Sequence, residues 1–163
     1  EAAQNIEFLQ SDIITFKSNK ALDFICCTND IINYVSKEQI NHCFANLYKN
    51  LKKGGALLFD ISSSYRLKNI IANATFSDDT EDVTYIWNNH KSNDNIFMDI
   101  IIFERQGGKY LRFDENHIQY IYTEREIENA LKAAGFKDIF VYDFLTYNPP
   151  KNTSERIQFA ATK

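Results

Sequence analysis

The run from Leu22 to Asp60 restricts the fold of this chain more than any other stretch. Leu22-Asp-Phe-Ile-Cys-Cys-Thr is apolar after Asp23 and ends at Asn29-Asp30. A helical pattern follows, then Lys52-Lys53-Gly54-Gly55, then a second apolar run, Ala56–Ile61, carrying Phe59-Asp60 near its end. Strand, helix, strand in this order reads as a β-α-β unit with parallel strands. Continuous apolarity predicts strands covered on both faces. Polar residues then gather at the carboxyl ends of both strands, the edge where open α/β sheets hold ligands.

The helix between them is predicted from its start signal and its stripe. Ser36-Lys37-Glu38-Gln39 fits a capping box, and Ile40, Cys43, Phe44, Leu47 and Leu51 recur at helical spacing. Lys52 and Lys53 suit the negative end of the helix dipole, and Gly54 suits a left-handed close. A second box, Thr123-Glu124-Arg125-Glu126, precedes the stripe Ile127, Ala130, Leu131 and Ala134, and Gly135 ends that helix. Lys137–Thr146 and Arg156–Ala161 read as strands reversed at Asn148-Pro149-Pro150, an antiparallel closing hairpin. Near the start, Ala2–Asn5 reads as the tail of a helix and Ile6–Leu9 as a short strand.

From about Lys68 to Tyr122 the character changes. Val83–Trp87, Asn95–Arg105 and Lys109–Tyr122 have strand composition, Asn88–Asn95 is polar enough to turn, and Gly107-Gly108 signals a hairpin. Asp78-Asp79-Thr80-Glu81-Asp82 reads as a solvated acidic loop. The expectation is a three-stranded antiparallel meander over residues 68–122, seated above the carboxyl edge of a core formed by residues 1–67 and 123–163.

Composition excludes several classes. With 44% hydrophobic residues, 13 Phe and 9 Tyr against 5 Gly and 2 Pro, the chain is ordered sheet-rich protein rather than linker. A net charge of −4 without a basic block gives no footprint for a nucleic-acid backbone. No apolar stretch is long enough to span a bilayer. Cys26, Cys27 and Cys43 make neither a disulfide framework nor a zinc pattern, and no metal site is expected; reduced thiols in a cytoplasmic protein are the simpler reading.

The segments FLQSDI, DFICCTNDIINYV, LKKGGALLFDI and IYTEREIENALKAAGF, in this order and spacing, resemble small-molecule class I S-adenosylmethionine (SAM)-dependent methyltransferases of bacteria. The likeness is to those with a β-rich lid after the fifth sheet strand, and it begins at the family's third strand. It implies a partial Rossmann-like sheet, SAM as cofactor and a small-molecule acceptor. Asp12 stands where the family places an acid for the adenine amino group, with Ile13 against the ring; a strand-end turn is the alternative role for Asp12. Cys27, Thr28, Asn29 and Asp30 fall along the methionine part, although Asn29 and Asp30 could simply open the next turn. Asn33 and Tyr34 fall near cofactor or acceptor, or Tyr34 packs beneath the helix.

In the insert, RFDENHIQYIYTEREI resembles the family segment in which a His and a Tyr precede the capped helix. This implies catalytic roles for His117 and Tyr120, and an acceptor pocket drawing on Trp87 and Tyr122, with Tyr34, Asp60 and Tyr65 facing the acceptor. For each aromatic the alternative is core packing, and for Asp60 a strand-end cap. Strand alternation sets His117 on one face with Leu111, Phe113 and Ile121, and Tyr120 and Tyr122 on the other. Methyl transfer from a sulfonium needs alignment and water exclusion more than acid–base machinery, so a strong catalytic motif is not required.

The family's glycine-rich turn and ribose-binding acid have no counterpart here; no Gly-x-Gly occurs in the chain. The expectation is therefore that further residues at the amino end, or a second copy as in a homodimer, complete the sheet. Two other functions stay open: a truncated, non-catalytic methyltransferase-like domain acting through a partner or itself, and a different nucleotide-binding α/β fold such as a reductase.

Overall fold

The computed structural model describes residues 6–163. The helix tail expected at Ala2–Asn5 lies outside the described residues. In chain order come β1 (Leu22–Cys27), a 3-10 turn (Ile31–Tyr34), α1 (Ile40–Asn50) and β2 (Leu51–Ser62). A helical turn α2 (Ser64–Arg66) continues into a π-helical turn (Leu67–Ile71). Then follow β3 (Thr75–Asp79), β4 (Val83–Ser92), β5 (Asn95–Gln106), β6 (Lys109–Tyr120), α3 (Glu124–Ala134), β7 (Lys137–Asp143) and β8 (Arg156–Thr162).

Two four-stranded sheets result. The first has the order β1-β2-β8-β7, with β1 and β2 parallel and β8 antiparallel to both its neighbours. The β-α-β unit and the closing hairpin are therefore present. One face of this sheet is sealed by α1 and α3, whose buried stripes include Phe44 and Leu47 on α1 and Ile127 and Leu131 on α3. Phe44 meets Phe59 at 5.3 Å between ring centroids, and Phe59 stacks on Phe159 at 5.0 Å, so helix, parallel strand and antiparallel strand share one aromatic core. The other face is open: Phe24 and Phe140 are 53% and 51% exposed and Cys26 is exposed. The expected two-sided cover of β1 is thus absent among the described residues, and only Cys27 of that strand is buried.

Both helix starts were expected to be boxed, and one is. Thr123 Oγ1 accepts from the Glu126 amide at 3.2 Å while the Thr123 amide donates to Glu126 Oε2 at 2.7 Å, and Gly135 closes α3 at φ 103°. At α1 the box does not form. Residues 36–39 wind into a turn of their own, so the amides of Gln39 and Ile40 both donate to the Ser36 carbonyl and the helix starts without a side-chain cap. Lys37 is left to reach Glu126 at 2.5 Å, joining the starts of the two helices.

Gly54 takes the left-handed conformation (φ 78°) but does not close α1. The helix stops at Asn50, Leu51 already pairs with Leu22, and the register then jumps to Phe24 with Ala56. Lys52–Gly55 is accordingly a bulge. Gly54 donates to the Lys163 carbonyl at 2.9 Å, and Lys163 donates back to Gly55.

The insert is a meander of four strands, β3-β4-β5-β6, one more than expected. The extra strand draws in Asp78 and Asp79, which pair with Tyr85 and Thr84, leaving only residues 80–82 to turn. Polar β4 runs on to Ser92 and the reversal tightens to Asn93-Asp94, with Asn93 at φ 54°. Ile6–Leu9, expected as a strand, has no strand conformation, and Phe8 is 92% exposed. Leu67, Ile71, Ile96, Met98 and Ile121 form a second small core under the meander. No helix among the described residues is long and apolar enough to cross a membrane.

Candidate functional site

Beyond the carboxyl end of β1 lies an open cleft of about 560 Å³. Its apolar wall includes Leu9, Ile13, Phe16 and Ile25, and its polar margin includes Asp12 and Thr28. The loop carrying Asp12 and Ile13 is fastened to α1. Asn46 Nδ2 donates to the Ile13 and Phe16 carbonyls at 3.1 and 2.9 Å, and Asn50 accepts from the Ser18 amide at 2.7 Å. Asp12 builds the turn itself: its Oδ1 accepts from the Ile14 amide at 2.7 Å and its carbonyl from Thr15 and Phe16. The turn role considered for Asp12 is real, and it leaves the second carboxylate oxygen without a protein partner among the described residues.

The strand then meets a sharp corner. Asn29 and Asp30 are consecutive left-handed residues, at φ 60° and 48°. Asp60, only 3% exposed, sits beneath them: Oδ1 accepts from the Asn29 amide and Oδ2 from the Asp30 amide, each at 3.0 Å. Arg156 Nη1 donates to Asp60 Oδ2 at 2.9 Å and lies 3.7 Å from Asp30. The Asp30 carboxylate in turn accepts from Ser62 Oγ at 2.6 Å and from Gln119 Nε2 at 3.2 Å. Burial, with the neighbouring Cys26 and the Asp60 charge adding to it, pushes the Cys27 thiol up to about 11.

A second pocket of about 270 Å³ opens between the corner and the meander, lined by Asp30, Tyr34, Trp87, Met98, His117 and Gln119 among others. Tyr34 belongs to the walls of both spaces. Its ring meets His117 edge-on, with centroids 5.9 Å apart. Burial raises the Tyr34 hydroxyl above its ordinary value; a hydrogen bond with Gln119 opposes this and the Asp30 charge adds to it. His117 Nε2 lies 2.9 Å from Glu115 Oε2 on the same strand face.

The residues singled out from sequence therefore divide. Asp12, Ile13, Cys27 and Thr28 line the first cleft, and Asp30, Trp87 and His117 the second, with Tyr34 common to both. Asn29 lines neither, and its amide is held from below. Asp60, expected to face the acceptor, is buried under the corner instead. Tyr120 packs against the main core, and its carbonyl accepts from Asn33 Nδ2 at 3.0 Å. Tyr122 is 1% exposed and donates to the Val35 carbonyl at 2.6 Å, so core packing is its role here. Tyr65 lies with Tyr122 in a separate shallow pocket beside α3. Ser62, Gln119 and Arg156 were not anticipated. They are bound into the site by cross-strand and inter-sheet neighbours, which no local pattern displays.

No family model matches the chain. Among curated proteins it is 35% identical over 168 residues to "Putative methyltransferase YqeM" of Bacillus subtilis (strain 168), covering 99% of this chain and 67% of that protein. It is 32% identical over 168 residues to "Putative methyltransferase GWCH70_2453" of Geobacillus sp. (strain WCH70), covering 68% of it. Among solved structures it matches an S-adenosylmethionine-dependent methyltransferase from Clostridium acetobutylicum ATCC 824 with TM-score 0.88 and 32% identity. That match takes in 93% of this chain and 62% of the other, so the chain spans roughly two thirds of the length of these relatives. The chain belongs to the class I S-adenosylmethionine-dependent methyltransferases.

Proposed function

We propose that this chain carries the adenine-side and acceptor-side parts of a methyltransferase that transfers the methyl group of SAM to a small molecule. The observation that carries the reading is Tyr34, which stands in the wall of both the open cleft and the smaller pocket. Methyl transfer needs two binding spaces that meet at one point. The first cleft fits a nucleoside: its volume lies in the usual range for ligand sites, its wall is apolar, and Asp12 offers a carboxylate acceptor at its margin. Asp12 and Ile13 would hold the base, and Cys27 and Thr28 the methionine side, where SAM supplies a methyl group on a sulfonium. In the second pocket Trp87, Tyr34 and His117 would hold the acceptor, with His117 as the group able to take a proton from it.

Calorimetric titration of the full-length protein with SAM tests the reading. Saturable binding, weakened in Asp12→Ala, supports it. Absence of binding would remove it and favour the non-catalytic alternative.

Among the described residues one sheet face is open and the outer edge of β1 unpaired, which supports a further part of this proposal, that more polypeptide covers them in the working protein. A further stretch of chain and a second copy are told apart by light-scattering mass. Three free thiols suit a reducing compartment, and we place the protein in the cytoplasm on that ground.

A further inference from the structure

The corner between the two spaces is the least relaxed piece of backbone near the site. Two non-glycine residues in succession, Asn29 and Asp30, adopt left-handed conformations. Asn and Asp tolerate this region singly, but two in succession need surroundings that hold them there. Here one carboxylate does so. Asp60 accepts from both amides at 3.0 Å, and the strand carrying it is rigid, paired with β1 on one side and β8 on the other.

Chemistry explains why the group must be a carboxylate. Both oxygens of Asp60 face donors: Oδ1 the Asn29 amide, Oδ2 the Asp30 amide and Arg156. An asparagine would set an N–H₂ against one of those donors. Arg156 neutralises the buried charge and is itself steadied by Phe144, whose ring centroid lies 5.2 Å from the guanidinium carbon. The consequences run in both directions along the chain. Thr28, before the corner, lines the open cleft; Asp30, within it, lines the second pocket. The 3-10 turn that presents Tyr34 begins at the same point, with Asn33 donating to the Asp30 carbonyl at 2.9 Å.

We propose that Asp60, held by Arg156, is a positioning residue that clamps the Asn29–Asp30 corner and thereby fixes the walls of the donor and acceptor spaces together. It touches neither ligand; it acts through the backbone it holds. The proposal rests on the methyltransferase reading for its ligand but not for its geometry.

The test uses the full-length protein and three variants. Asp60→Asn is expected to weaken SAM binding about tenfold by calorimetry, the scale of a lost charge-assisted hydrogen bond. Ile127→Val, which trims the α3 core away from the corner, should lower the melting temperature and leave SAM affinity unchanged. A loss of affinity in Asp60→Asn alone upholds the clamp, because a merely structural lesion does not alter the affinity of the folded fraction. Equal affinity in Asp60→Asn and wild type overturns it. Where Asp60→Asn does not fold, Arg156→Gln takes its place, with about threefold weakening expected and none contradicting the proposal. If wild type itself binds no SAM, the methyltransferase reading fails, and amide hydrogen exchange still decides the clamp. Protection at Asn29 and Asp30 lost in the variant upholds it; identical exchange overturns it.

Discussion

Asn33 and Ser62 bond to each other in both directions: the Ser62 amide donates to Asn33 Oδ1 at 2.9 Å, and Asn33 Nδ2 donates to the Ser62 carbonyl at 3.2 Å. The same Nδ2 donates to the Tyr120 carbonyl at 3.0 Å, so one fully buried amide joins the turn after β1, the end of β2 and the last strand of the meander. Asn33→Ala leaves those backbone groups buried without partners. It should destabilise the protein by about 3 kcal/mol, read by urea unfolding. A loss below about 1 kcal/mol would show that the meander is docked by other contacts.

Gly55 sits in the Lys52–Gly55 bulge, where an added Cβ would lie 3.0 Å from the Lys52 carbonyl oxygen and 3.1 Å from those of Asp23 and Leu22. All three are backbone, so the neighbours cannot swing aside. Gly55→Ala should cost about 2 kcal/mol, whereas Gly108→Ala, with open space around it, should change stability little. Equal unfolding midpoints for the two variants would contradict this account of the bulge.

The capping box of α3 carries a pH dependence. Partial burial pushes the Glu126 carboxyl up, but the Lys37 ammonium and the Thr123 amide and hydroxyl outweigh it and hold the group below its ordinary value. A depressed folded-state pKa gives stability that is fully present above the unfolded value, about 4.3, and lost as pH falls through the folded one. Glu126→Gln should therefore lower stability at pH 7 and differ less from wild type at pH 3. Both partners are partly exposed, so the effect is small and salt-sensitive. A gap that widens on acidification would contradict the assignment.

Burial pushes the Cys43 thiol up to about 12 and that of Cys27 up to about 11, far above neutral pH. The thiolate is the reactive form. Alkylation with iodoacetamide at pH 7.5 should spare both residues in the native protein and modify both after denaturation, as read by mass spectrometry. Native modification of Cys43 would mean that the α1 core opens far more readily than its packing implies.

Local signals carried most of the fold. Period-3.6 stripes and the Thr123–Glu126 box placed both helices, and the apolar runs placed β1, β2 and the closing hairpin. Local signals failed where neighbours decide. Asp78 and Asp79 became strand because β4 supplied a partner edge, Gly54 served a bulge rather than a helix end because Lys163 reached it, and Ser36 lost its box to a preceding turn. The site divides the same way. Asp12, Thr28, Tyr34 and His117 line spaces beside the sheet edge to which the β-α-β order pointed. Asp60 and Tyr122, expected to face an acceptor, took the alternative roles of strand-end cap and core packing, because a sequence does not show what lies above a strand end. Arg156, the residue across from Ser62 on β8, had no signal at all before the sheet was assembled.

The most direct measurement is a crystal structure of the full-length protein with S-adenosylhomocysteine. The account predicts the nucleoside against Asp12 and Ile13, the amino-acid end beside Thr28, and the pocket of Trp87 and His117 left free across Tyr34. Ligand bound elsewhere, or a Tyr34 remote from it with the two spaces walled apart, would contradict the account.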